Sequence, residues 1–241
     1  LTPIPDSEWP GVYHAIVDSR RSVRKFLDEA IPEETVLECL EEALLAPNSS
    51  NLQTWYFRWV RSPEARAKLA HACLGQNAAK TASDLIVITV RAGVWRAHTE
   101  WNLEHYPVSP APGIVKTYYT KLAKMLYTIG PLGILAPLKW LLFGAIGLRQ
   151  PMIRGLYTSA DRRVWAVKSA ALASENLMLA FSARGYDTCP MEGFDAARVH
   201  KQLRIPRSEE IVMIVAAGRR APEGVYHERY RIPLDQLLEK I

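Results

Sequence analysis

The stretch from Trp165 to Ala183 constrains this chain more than any other, because it reads as one long helix that is apolar round much of its circumference. Glu175 and Asn176 interrupt it, and Arg184-Gly185 stops it, with glycine at the C-cap position. Such a helix is expected to be buried on more than one side, in a domain core or a subunit interface. The chain can supply that core: at 241 residues with 49% apolar side chains it has the material for one full domain, 1–241.

Around this helix the pattern alternates between periods. Residues 10–19 and 33–45 read as helices. In the second, Pro32 pre-sets the start, Glu33 and Glu34 complement the dipole, and Val36, Leu37, Leu40 and Leu44 fall on one face. Thr54 to Val60 alternates and is rich in aromatics, so it predicts a strand; Leu85 to Val90 predicts a buried one, with a helix over Pro63 to Leu74 between them. A short helix over Ala196 to Leu203, a strand over Glu209 to Ala217 and a terminal helix over Leu234 to Ile241 complete the set. Strands and helices do not alternate regularly, which favours α+β over a doubly wound sheet. No internal repeat is visible.

The net charge of +5 does not point to nucleic acid, since the basic residues are interspersed with acids along the predicted helices. Cys39, Cys73 and Cys189 are odd in number and far apart, with no CxxC spacing and no paired histidines, so neither a zinc site nor a disulfide is expected. That usage suits a reducing cytoplasm. Cys39 and Cys73 sit in apolar helical pattern and read as core residues. Residues 1–6 lack a basic start followed by an apolar run, so no signal peptide is expected.

One region fits no simple element. From Met125 to Leu148 the only charge is Lys139, while Lys116, Lys121, Lys124, Arg149 and Arg154 flank it. A spanning helix needs about 20 unbroken apolar residues. Gly130, Pro131, Gly133, Pro137, Gly144 and Gly147 are expected to break this one. Two readings stay open for the insertion spanning 93–160. It is an apolar lid over an active site or partner subunit, or residues 125–148 dip into a membrane surface with lysines at headgroup level. Both imply an apolar substrate.

Near the N-terminus, Arg20-Arg21-Ser22-Val23-Arg24-Lys25 gathers cations and a hydroxyl that suit a small anion, because guanidinium forks match phosphate oxygens. The bland alternative is a solvated basic turn between two helices. Downstream, Ala46-Pro47-Asn48-Ser49-Ser50-Asn51-Leu52-Gln53-Thr54-Trp55 is a polar amide-and-hydroxyl loop running into an aromatic strand. Cys189-Pro190-Met191-Glu192-Gly193-Phe194 and Arg229-Tyr230-Arg231-Ile232-Pro233 follow much later, and Asn77 precedes Lys80 by three places.

Taken in this order, the segments resemble the nitroreductase family of flavoproteins. Arg20, Ser22 and Arg24 match its Arg-x-Ser-x-Arg/Lys element. Pro47, Ser49, Asn51, Gln53 and Trp55 match its APSSxNxQPW loop, with Asn48 where serine is usual and Thr54 where proline is usual. Asn48 still donates and accepts, whereas the missing proline makes the loop less rigid. Residues 93–160 resemble nothing in the pattern.

The resemblance implies a nitroreductase-like mixed central sheet flanked by helices in an intertwined homodimer, with FMN at the subunit interface. Arg20, Arg21, Ser22 and Arg231, with Arg229 beside it, would address the FMN phosphate. Arg24, Asn77 and Lys80 would face the pyrimidine edge of the ring, where a cation raises the flavin's reduction potential. Pro190, Met191, Glu192 and Gly193 would lie along the ring, Gly193 permitting close backbone approach. The same segment also reads as an ordinary loop opening a helix, with Asp195 as N-cap. Cys189, next to it, is expected to be partly exposed. Pro47, Asn48, Ser49, Asn51 and Gln53 would reach FMN from the other subunit.

The implied reaction is ping-pong. NAD(P)H reduces FMN and leaves, then a small apolar aromatic acceptor, a nitroarene or a quinone, takes its place. No side chain is nominated as acid or base, since the cofactor carries the chemistry. Reductive dehalogenation or a dehydrogenase on the same scaffold is the alternative among enzymes. A flavin store or a membrane-surface binding protein is the alternative outside them.

Overall fold

The computed structural model describes residues 5–130 and 133–241. Pro131, one of the expected helix breakers, lies outside them. Four strands, β1 (Trp55–Val60), β2 (Asp84–Val90), β3 (Asp187–Met191) and β4 (Glu210–Gly218), form one sheet in the order β1-β2-β4-β3. Every neighbouring pair is antiparallel. Among the described residues the parallel pairing is the isolated bridge that joins Ser22 to Thr188 of β3.

The sheet separates two cores, as period-2 alternation requires. From β2, Leu85 and Val87 face one side with Leu69, Ala78, Met191 and Val199. Those partners come from α3 (Pro63–Ala72), α4 (Asn77–Thr81), β3 and α10 (Ala196–Gln202). Ile86 and Ile88 face the other side with α2 (Glu33–Ala43) and α9 (Ser159–Ala183). All of β2 is buried, which explains its apolar run from Leu85 to Ile88. Pro190 sits in β3 at the sheet edge, where a missing N–H costs no ladder bond.

The long helix is longer than its apolar run. Thr158 caps α9 by accepting from the Asp161 N–H at 3.1 Å, while the Asp161 carboxylate accepts from the Thr158 N–H at 2.8 Å. The polar first turns carry no apolar period, so the start lies six residues before Trp165. Small side chains at Ala166, Ala170, Ala173 and Ala180 bring this helix close against the sheet, with Leu177 and Phe181 filling the space between.

Several expectations need correcting. In α2 the inward residues are Val36, Cys39 and Ala43, while Leu37 and Leu44 are exposed, because the stripe facing α9 follows i, i+3 and i+7 from Val36. The terminal helix is absent apart from the 3-10 turn Leu234–Gln236, and the side chains there stay exposed, so nothing pays the ordering entropy of a longer helix. Of the Pro190–Gly193 segment, expected as a loop opening a helix, Pro190 and Met191 belong to β3. Cys189 is fully buried and not partly exposed, since its side chain enters the core beside Val199 and Ala216.

The middle region forms α5 (Trp95–Glu104), α6 (Gly113–Thr117), a π-helical stretch Tyr118–Ala123, α7 (Lys124–Tyr127) and α8 (Leu135–Ile146). Before them, α1 (Trp9–Ser19) packs on α9. Gly130 makes the expected break with φ +79°, where a Cβ would meet Leu135 Cγ at 2.8 Å. Pro137 and Gly144 do not break the chain: the first occupies the opening turn of α8 and the second lies inside it. Leu52, Trp95, Leu126, Tyr127, Phe143 and Leu156 bury a third cluster. Among the described residues no helix is long and apolar enough to cross a membrane.

Candidate functional site

The basic segment leaves α1 at Arg20 and runs beside β3 in extended form. Val23 N–H donates to Thr188 O at 3.0 Å and Arg24 N–H to Gly224 O at 2.6 Å. Val23 is buried between the charged positions, so alternate residues of the segment turn towards solvent. There Arg20, Arg21, Ser22 and Arg24 line a cavity of about 270 Å³ together with Arg229 and Arg231 from the far end of the chain. Among the described residues no carboxylate lines it.

The five arginines are not equivalent. Arg229 holds the pocket together: its guanidinium donates to Asp18 O at 2.7 Å, to Arg20 O at 2.6 Å and to Asp18 Oδ1 at 3.0 Å. Arg21 donates to His227 O at 2.5 Å. Among the described residues Arg20 has only Glu175 Oε1, at 3.9 Å from its Nε, so the acid that interrupts the apolar helix lies beside this cation. Among the described residues Arg231 reaches only the carbonyl of Tyr230, at 2.7 Å. Arg20 and Arg231 therefore keep most of their donors for something else. Beside the Ser22 bridge, the buried Thr188 Oγ1 has no partner among the described residues. The arrangement has the donors and charge for a phosphate-sized anion.

From this pocket a continuous path of contacts leads along β3 to α4. Arg24 Nη1 donates to Cys189 Sγ at 3.2 Å. Burial pushes that thiol up, with Arg24 and Arg20 opposing, so it stays protonated at neutral pH. Phe26 N–H donates to Thr81 Oγ1 at 3.0 Å, and Gln76 Nε2 to Gly193 O at 2.7 Å, tying the basic segment and the end of the β3 segment to α4. Asp195 caps α10 as expected, accepting from Arg198 N–H at 3.1 Å. Pro190 and Met191 are strand residues, with the Met191 side chain buried. Asn77 and Glu192 are exposed. Lys80 does not join the basic pocket; it lines a larger cavity of about 880 Å³ beside Trp59, Arg66 and Asp84.

The amide loop stands apart from this path within one chain. It closes as the 3-10 turn Ser49–Asn51, with Ser50, Asn51 and Gln53 all at positive φ between 41° and 59°. Three non-glycine residues in that region are held only by strong surroundings. Asn48 Oδ1 accepts from Gln53 N–H at 2.8 Å, and Asn102 Nδ2 donates to Asn51 O at 2.8 Å. Ser50 Oγ lies 2.5 Å from Tyr118 OH and 2.8 Å from Tyr127 OH, while Tyr119 OH donates to Ser50 O at 3.1 Å. Burial pushes the phenols of Tyr119 and Tyr127 up, which keeps them neutral donors. Pro47, just before the turn, is exposed. Gln53 opens onto an aromatic cavity of about 570 Å³ with Trp55, Tyr56, Phe57, His98 and Trp101.

The sequence reading missed the groups that hold this loop: His98, Asn102, Tyr118, Tyr119 and Tyr127. Nothing local marks them; the spacing of Tyr118 and Tyr119 is their only signal, and it is a weak one. Thr54, in the position usual for proline, is buried with its hydroxyl unpartnered among the described residues, while its carbonyl accepts from Arg91 N–H at 2.9 Å. The loop's rigidity comes from the tyrosines and Asn102 in place of a ring at position 54.

A four-stranded antiparallel sheet between helical layers, with a basic pocket at its edge, defines the class as an α+β fold carrying an anion-sized site. The chain belongs to the nitroreductase family, whose model, described as "Nitroreductase family", matches residues 17–219. Among curated relatives, the NADH dehydrogenase of Thermus thermophilus is 28% identical over 219 residues, 91% of each chain. Among solved structures, ydfN of Bacillus subtilis superposes with a TM-score of 0.76 at 23% identity, covering 96% of this chain and 100% of that one. A structure from Exiguobacterium sibiricum 255-15, determined in complex with FMN, has a TM-score of 0.68 at 22% identity, covering 100% of this chain and 99% of the other.

Proposed function

We propose that this protein is an FMN-dependent oxidoreductase that takes reducing equivalents from NAD(P)H and passes them, by a ping-pong sequence, to small apolar aromatic acceptors such as nitroarenes or quinones. The observation that carries the reading is the meeting of Arg20, Arg21 and Ser22 with Arg229 and Arg231, some two hundred residues apart in sequence, in one acid-free pocket sized for an anion. The FMN complex of the Exiguobacterium relative and the NADH of the Thermus relative's name support the choice of cofactor and reductant.

In this reading Arg20, Arg21, Ser22 and Arg231 bind the phosphate, and Arg229 fixes the Arg20 backbone while adding charge. Arg24, Asn77 and Lys80 address the pyrimidine edge of the ring; Pro190, Met191, Glu192 and Gly193 lie along it. Bound there, the flavin supplies hydride chemistry that no side chain of the chain can. The chain binds, orients and keeps water out, and region 93–160 serves as the lid.

The loop bearing Pro47, Asn48, Ser49, Asn51 and Gln53 would complete the site of a second copy, which makes the enzyme a homodimer. Exposed apolar stripes support that assembly: Trp9, Tyr13 and Val17 at i, i+4 and i+8 on α1, with Leu37 on α2 and Leu44 at its C-cap. The three free, buried cysteines suit the reducing cytoplasm. The other reading of this region, contact of residues 125–148 with a membrane surface, does not depend on the flavin.

The test is spectroscopic. Purified protein should be yellow, release FMN on denaturation and bleach with NAD(P)H under anaerobic conditions. Arg20→Ala should weaken FMN retention by about 1.5–3 kcal/mol, the worth of a charge-assisted hydrogen bond. A colourless protein that cannot be reconstituted would overturn the reading, and unchanged FMN affinity in Arg20→Ala would move the phosphate elsewhere. Steady-state rates with nitroarenes, quinones and halophenols separate the acceptor classes.

A further inference from the structure

Helix α8 is inside out. Its outward stripe, with Ile134 at the N-cap and Leu148 just beyond the C-terminus, runs Ile134, Leu138, Leu141, Ala145, Leu148 at i, i+4, i+7, i+11 and i+14, and all five are exposed. Trp140 beside it is 64% exposed. The only charge of the helix, Lys139, points inward. Its Nζ donates to the carbonyls of Leu126 at 2.7 Å, Leu156 at 3.0 Å and Thr128 at 3.2 Å. Three donors are matched to three acceptors, so the lysine pins α8 in this rotation. A surface helix in water normally shows the reverse arrangement.

The surrounding charge is one-sided. From His105 to Ala160 there is no aspartate or glutamate, and Lys116, Lys121, Lys124, Arg149 and Arg154 are all exposed. We propose that α8 docks flat on an anionic lipid surface, its leucines and Trp140 entering the acyl boundary and the five cations meeting the headgroups. Its 12 residues span roughly 18 Å, at 1.5 Å per residue, which suits lying in the interface and is too short to cross a hydrocarbon core of about 30 Å. A second copy is the poorer occupant. Self-pairing across a two-fold axis would set this cationic segment against itself with no acid of its own to answer it.

The inner face of α8 buries Phe143 with Leu52 and Tyr127, so the docking face lies one layer from the Ser49–Asn51 turn. An acceptor drawn from the bilayer follows only if the flavoenzyme reading holds; docking itself does not depend on it.

Flotation with vesicles of phosphatidylcholine, alone or mixed with phosphatidylglycerol, tests the proposal on the whole protein, with FMN content measured on the same samples. The wild type should float with the anionic vesicles. Leu138→Glu/Leu141→Glu should lose at least tenfold in partitioning with an unchanged circular dichroism spectrum. Lys121→Gln and Lys124→Gln should each lose about fivefold, as should wild type in added salt. If the double variant does not fold, the lysine variants and the salt series still decide. No flotation, or flotation indifferent to all of these changes, overturns the proposal. So does a double variant that merely sediments as a smaller species, since α8 would then be an interface between copies. Flotation of a protein that carries no FMN and takes none up on reconstitution retains the docking surface and removes the flavoenzyme reading.

Discussion

Helices α8 and α9 each carry an apolar run, and the two runs meet opposite fates. In α9, nine residues of 25 are buried, and its alanines let it lie close against the sheet. In α8, two of 12 are buried and one of those is a lysine. Hydrophobicity alone therefore does not set burial. A helix is covered where its side chains leave room for a neighbour, and where a polar anchor such as Lys139 fixes its rotation, bulky apolar residues stay outside.

The strongest way to break this comparison is to cut the same kind of side chain from each helix. Phe181→Ala should destabilise by about 3–5 kcal/mol through the cavity it leaves, whereas Leu141→Ala should stay within about 0.5 kcal/mol. Denaturant midpoints measure both, and equal losses would mean that α8 is covered in the isolated protein. Next in size, Lys139→Ala should cost about 1–3 kcal/mol by leaving buried carbonyls unpaired. Losing nothing would show that the apolar contacts of α8 alone set its rotation.

Acid should give the smallest effect and should separate the helices again. Arg184, just past α9, donates to Glu42 at 2.7 Å and to Glu38 at 3.0 Å on α2. Its hydrogen bond holds the Glu42 carboxyl below the ordinary 4.5. Glu209 is also held low: burial would raise it, but Arg58, Thr89 and Arg91 outweigh that. A carboxylate whose pKa is depressed on folding adds stability that is complete above the unfolded value and lost as pH falls through the folded one. Unfolding free energy should thus fall as pH drops below 4.5. Arg184→Met should flatten part of that slope, while Lys139→Ala, with no acid near it, should leave the slope as in wild type.

Much of the fold was legible because local pattern and tertiary demand agree. The largely apolar run Leu85 to Val90 became the buried strand beside the centre of the sheet, and the apolar stretch from Trp165 became the core helix. Where they disagree, the reading slipped. Leu37 and Leu44 look like core positions in isolation, yet the stripe through Cys39 and Ala43 is the one that meets α9. Pro190 hides a strand, because proline is admitted only at an edge and edges are not visible in sequence. In the candidate site, arginine clusters and amide loops advertise themselves by composition. Their supports, Tyr118, Tyr127 and Asn102, do not, since a phenol and a carboxamide are common anywhere.

By itself the sequence determined the chemistry on offer: several arginines with a serine near one end, two more near the other, a loop of amides and hydroxyls, and an α+β alternation able to carry them. Which of these meet, and which arginine remains free to bind once Arg229 is committed to Asp18 and Arg20, only the tertiary structure decided. The reason is physical: residue types and their spacing set local conformation. The convergence of segments some two hundred residues apart depends instead on strand order and on the rotation of each helix, which every other packed side chain helps to set.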